Sequence, residues 1–61
     1  MDKHHKNAAK QSRDGKARYV VYVPDCGTDV FSAEQVAIYG SLIFIEAVYL
    51  GGVQIATREA A

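Results

Sequence analysis

Sixty-one residues leave room for one small domain and exclude any enzyme fold that needs two lobes or a long parallel sheet. Seven basic and seven acidic side chains cancel to a formal charge of zero, but the zero is a sum over two unlike parts. Residues 1–18 carry six basic residues against two acidic ones, and residues 19–61 carry Arg58 against five carboxylates, so +4 faces −4. All six aromatic residues lie in the second part. The chain therefore reads as a flexible basic arm (1–17) joined to an acidic, apolar body (18–61).

Ordering so small a body costs about 1.5 kcal/mol per residue, which its own burial barely offsets, so chains of this size add disulfides, a metal or further copies of themselves. The single Cys26 makes no internal disulfide and points to a reducing, cytoplasmic compartment. His4 and His5 sit in the arm, far from Cys26, and no metal or other cofactor is expected. Self-association is the stabiliser that remains. No apolar run follows Met1-Asp2-Lys3, so no signal peptide is expected, and neither terminus carries a lipidation motif.

The arm is almost free of apolar side chains and ends in the turn pair Asp14-Gly15, the composition of a disordered tail. Its basic residues are nevertheless spaced for a helix. Lys3, Lys6, Lys10 and Arg13 fall within one third of a helical wheel and would form a basic stripe, marginal alone but able to order on an anionic surface. With Lys16 and Arg18, these are the candidate nucleic-acid or anion contacts. They would neutralise phosphates without sequence preference, and the arm offers no aromatic residue for base stacking.

Arg18–Val23 is strand by composition, all β-branched or aromatic after Arg18, and Pro24 ends it. Asp25-Cys26-Gly27 is a turn, and residues 29–32 a short strand or loop. Ser32 and Gln35 fit a capping box for a two-turn helix, but Val36, Ile38 and Tyr39 favour a strand over 36–39, with Gly40-Ser41 turning into the next one. Residues 42–49 and 53–57 then form a hairpin across Gly51-Gly52. Pairing across that turn sets Leu50 opposite Val53, Val48 opposite Ile55 and Glu46 opposite Thr57. One hairpin face carries Ile43, Ile45 and Tyr49 and is too apolar for solvent, so a second copy is expected to cover it, with Glu46 either an edge charge that blocks wrong pairing or a contact to a basic residue of the neighbour. The fold expected is all-β: an antiparallel meander of three or four strands, or a small open barrel, with at most one short helix.

The same run, 36–56, is also long enough to span a bilayer, with Glu46 its only charge; that charge near the middle, three glycines and Gln54 argue against it. The segment 19–29, YVVYVPDCGTD, resembles the first phosphate loop of the sugar-kinase and actin-like ATPase superfamily, in which a strand delivers an Asp to the metal-bound water and Gly-Thr amides to phosphate. The resemblance ends with Asp29. That superfamily needs two large lobes and a second phosphate loop, and Pro24 departs from its pattern. Cys26 has Asp25 and Asp29 as neighbours, which oppose a reactive thiolate, and Glu46 has no second acid–base group beside it. No catalytic residue is assigned.

A non-enzymatic, homo-oligomeric binding or regulatory module, with the basic arm on nucleic acid or another anionic partner, is therefore expected. The alternatives are a protein-binding inhibitor or adaptor of the kind phages and mobile elements encode, with Tyr19, Tyr22, Tyr39 or Tyr49 as anchors, and a single-pass membrane peptide.

Overall fold

The computed structural model describes residues 3–57. The run of β-branched and aromatic residues at Arg18–Val23 forms strand β1, as its composition requires. Pro24, Asp25 and Cys26 turn the chain, with Asp25 at a φ of 69°, a left-handed conformation that Asp tolerates better than most residues. Strand β2 follows at Gly27–Ser32, beginning two residues earlier than expected, and pairs antiparallel with β1 from Arg18–Ser32 through Val23–Gly27.

The strand expected over 36–39 is instead helix α2, Ala33–Tyr39. Its capping box is complete: the Gln35 N–H donates to the Ser32 hydroxyl at 3.3 Å, and the Ser32 N–H donates to Gln35 Oε1 at 2.8 Å. Topology supplies a second reason. Strand β3, Phe44–Leu50, pairs antiparallel with β1 on the side away from β2, so β2 and β3 run parallel with β1 between them. Parallel strands cannot be joined by a tight turn, and a helix is the usual crossover. Local β propensity over Val36, Ile38 and Tyr39 loses to that requirement. A 3-10 turn at Gly40–Leu42 completes the connection.

Strand β4, Val53–Thr57, pairs with β3 across Gly51-Gly52, as the glycine pair predicts. The sheet is open, with order β2-β1-β3-β4, and the crossover makes it no meander. Leu50 lies opposite Val53 as expected, but the register slips between Val48 and Tyr49, so Val48 faces Ala56 and Ala47 faces Thr57. Ile55 is the extra residue of this bulge. A second bulge, at Glu46, sets Val20 opposite Ala47 but Val21 opposite Ile45.

A second helix, beyond the single one expected, is α1, Lys3–Gln11, followed by a 3-10 turn at Ser12–Asp14. It lies on one sheet face, where Ala8 packs into a core with Val20, Ala47 and Tyr49, flanked by Ala9 and Val30. Helix α2 lies on the other face: it packs on β2 and β1, and its Tyr39 ring meets Phe31, whose neighbour Val30 points toward α1. Val21 is fully buried and faces α2's side. No helix among the described residues is long and apolar enough to cross a membrane; 36–56 is divided among α2, β3 and β4.

Candidate nucleic-acid interface

Helix α1 sorts its side chains by size and charge. His5, Ala8, Ala9 and Ser12, spaced i, i+3, i+4 and i+7, form the side toward the sheet, and Ala8 and Ser12 are fully buried. Their small volume lets the helix axis approach the strands closely. Lys3, Lys6 and Lys10 are exposed on the opposite side, and Arg13, also exposed, follows in the 3-10 turn with its stem alongside Gly52.

Two polar contacts fix that orientation. The Ser12 hydroxyl accepts from the Gly52 N–H at 2.9 Å and donates to the Ala9 carbonyl at 2.8 Å, while the Ser12 carbonyl accepts from the Gly51 N–H at 2.9 Å. The end of α1 is thereby pinned to the β3–β4 turn. Nearer its start, His5 Nδ1 lies 2.8 Å from the Tyr49 hydroxyl, with the rings edge to face. The phenol proton goes to Gln54 Oε1 at 3.2 Å, so His5 Nδ1 is the donor in its bond. Gln54 in turn donates to the Ala56 carbonyl.

The other two expected cations behave differently. Lys16 is exposed, just beyond the helix. Arg18 is committed within the chain: its guanidinium donates to Asp14 at 2.9 Å and to the carbonyls of Lys16 and Ala17. Asp14 also accepts the Lys16 N–H at 2.8 Å. That backbone bond, with the nearby Arg18 charge, holds its carboxyl below the ordinary carboxylate range. The ridge is therefore Lys3, Lys6, Lys10, Arg13 and Lys16. Asp25, Asp29 and Glu34 lie on the β1–β2 turn, on β2 and on α2, and Glu34 lines a surface depression together with Lys16 and Arg18.

The four residues expected at a partner interface do not share one surface. Ile43 and Tyr49 are buried, Ile45 is exposed and Glu46 is half-buried at its bulge. The cover expected from another chain is supplied for Tyr49 by α1 of the same chain. The bulge also places Tyr49 and Ile45 on opposite faces, which strict alternation would not. Of the aromatic anchors, Tyr22 and Tyr39 are exposed and Tyr19 is half-buried. Cys26 is exposed in its turn, and no cluster of three or more metal-ligating side chains occurs among the described residues.

His5, Ser12 and Gln54 were not foreseen as working residues. The signal for the first two was present, because 5, 8, 9 and 12 have helical spacing opposite the lysines. No protein-family model matches the chain, and neither a curated protein nor a solved structure matches it.

Proposed function

We propose that the protein is a non-enzymatic binding module whose α1 ridge holds the backbone of a nucleic acid, working in a reducing, cytoplasmic compartment. One observation carries the reading: Lys3, Lys6 and Lys10 stand together on the outer side of a helix whose inner side is fixed to the sheet by Ser12 and His5, with Arg13 exposed in the turn that follows. A ridge fixed in this way presents its charges without first folding, which removes the ordering cost that a free basic tail would carry on binding. The ridge has no aromatic side chain, so binding is to phosphate and indifferent to sequence.

Fluorescence anisotropy with a labelled duplex tests it. Four to five phosphate contacts give a plot of log K against log salt with a slope of about −4, and Lys6→Ala or Lys10→Ala lowers that slope by about 1 each. Absence of binding at about 50 mM salt, or a slope that neither substitution changes, would overturn the reading.

A protein partner is a second reading, favoured by a depression of about 430 Å³ lined by Val23, Pro24, Ser41, Leu42 and Phe44. Leu42 and Phe44 are both more than half exposed there, and the Tyr22 ring lies 6.5 Å from that of Phe44. Retention of a partner protein by a Lys6→Glu, Lys10→Glu double variant, and its loss on Phe44→Ala, would favour this reading over the first.

A further inference from the structure

We propose that two copies of the chain associate through the sheet face opposite α1, each copy's α2 filling the other's uncovered half. Strand pairing fixes which side chains this face presents. Tyr19, Val48 and Ala56 form one row across β1, β3 and β4, Val21 and Ile45 a second, and Leu50 and Val53 a third. None of these seven is charged; Asp29, paired with Val21 on β2, also faces this side, on the half where α2 packs. Helix α2 stands over β2 and β1, leaving the β3–β4 half open, with Ile45, Leu50 and Val53 at 41%, 39% and 63% exposure.

The face is therefore stepped. Beside the open tread rises α2, about 10 Å in diameter, whose Ile38 is 71% exposed. A twofold axis lying between two such faces puts the helix of each copy over the tread of the other. Ile38 then meets Ile45, Leu50 and Val53 of the second copy, and the reverse contact forms at the same time. A tread of Ile45, Leu50 and Val53 beside an exposed Ile38 accommodates a second copy better than a flat or charged partner. The closed twofold leaves no free end for further addition.

The area suffices. The chain's two longer dimensions are 28 and 24 Å. A face of that size is on the order of 700 Å², and each copy of the twofold pair buries both its tread and its α2, so the pair exceeds the roughly 1,000 Å² of total burial that a specific interface requires. The edge strand β4 is a poorer route to self-association, because its bulge breaks the ladder and Gln54 already occupies the Ala56 carbonyl. Both α1 ridges of the pair point outward, on opposite sides. If the ridges bind nucleic acid as proposed above, the dimer bridges two segments.

Sedimentation of the full chain without nucleic acid tests the association separately from the ridge. The mass expected is twice the 6.7 kDa of one chain at micromolar concentration. Val53→Lys and Ile38→Lys are each expected to halve it with the circular dichroism spectrum unchanged. The exposed helical position of Ile38 provides a variant that leaves the monomer core intact if Val53→Lys misfolds. A wild type of 6.7 kDa overturns the inference, whether it stays free or binds uncharged lipid vesicles; so does a dimer that survives both substitutions. A dimer that ignores DNA removes the ridge reading alone, and a monomer with the expected salt slope removes this inference alone.

Discussion

The hydroxyl of Ser12 and the backbone N–H of Gly52 meet at 2.9 Å across a separation of forty residues. This contact joins the end of the basic helix to the β3–β4 turn and makes the helix part of the domain. Ser12 is fully buried and its hydroxyl is used twice, as acceptor from Gly52 and donor to Ala9. The orientation of the whole ridge therefore depends on a serine in an otherwise polar segment.

Ser12→Ala removes the acceptor and leaves a partly buried Gly52 N–H unpaired. Such a loss costs about 1–3 kcal/mol. The Ser12 carbonyl still accepts from Gly51, so the turn itself survives. The expected outcome is a lower urea midpoint, with amide exchange in 3–11 accelerated more than in β1. Equal acceleration in both would show that α1 is not separately pinned.

At the other end of the helix, Tyr49→Phe keeps the ring in the core and deletes only the oxygen. His5 Nδ1 and Gln54 Oε1 both lose their partner, at partly buried positions. A cost of about 0.5–1.5 kcal/mol is expected by denaturant titration, and a His5→Ala, Tyr49→Phe cycle should show coupling between the two. Strictly additive losses would remove the His5–Tyr49 bond from the account.

How far the sequence discloses these contacts depends on what kind of signal each leaves. Strand β1 and the Gly51-Gly52 turn are written in residues that favour one local conformation. The capping box of α2 is equally local, yet Val36, Ile38 and Tyr39 speak for strand, and only the parallel run of β2 and β3 decides between them. The bulges at Glu46 and Ile55 leave no local mark, so a strict alternation puts Tyr49 and Ile45 on one face when the fold separates them. The lysine stripe is legible because charge is conspicuous. The docking side at 5, 8, 9 and 12 is not, because alanine and serine bury little area and mimic a solvated tail.

Gly52 has a φ of 85°, and a Cβ added there would lie 3.1 Å from Cγ of Arg13. Gly52→Ala is thus opposed by the left-handed backbone, at about 1–2 kcal/mol, and also pushes the Arg13 stem off the turn. Gly51→Ala meets the same backbone cost but has nothing within 4 Å. Both variants should melt below the wild type. Only Gly52→Ala should also alter the salt slope of nucleic-acid binding, through Arg13.

The Asp14–Arg18 pair connects acid stability to the ridge. The Asp14 carboxyl, accepting from the Lys16 N–H and paired with Arg18, titrates below its ordinary value of 3.8. A carboxyl depressed by folding contributes stability above its unfolded pKa, and that contribution is lost as pH falls through the lower folded value. The melting temperature should therefore begin to fall near the ordinary value and continue falling below it. Asp14 is exposed, so the effect is small and is best seen as a difference from Asp14→Asn, whose acid dependence should be shallower. At neutral pH the same substitution removes the ion pair of Arg18, which keeps its bonds to the Lys16 and Ala17 carbonyls, and removes the negative charge beside Lys16. Asp14→Asn should then bind duplex DNA more tightly than the wild type at low salt, with a slope steeper by up to about 1 and an advantage that shrinks as salt rises. Unchanged or weaker binding would mean that Arg18 and Lys16 lie outside the contact, and the ridge would contract to Lys3, Lys6, Lys10 and Arg13.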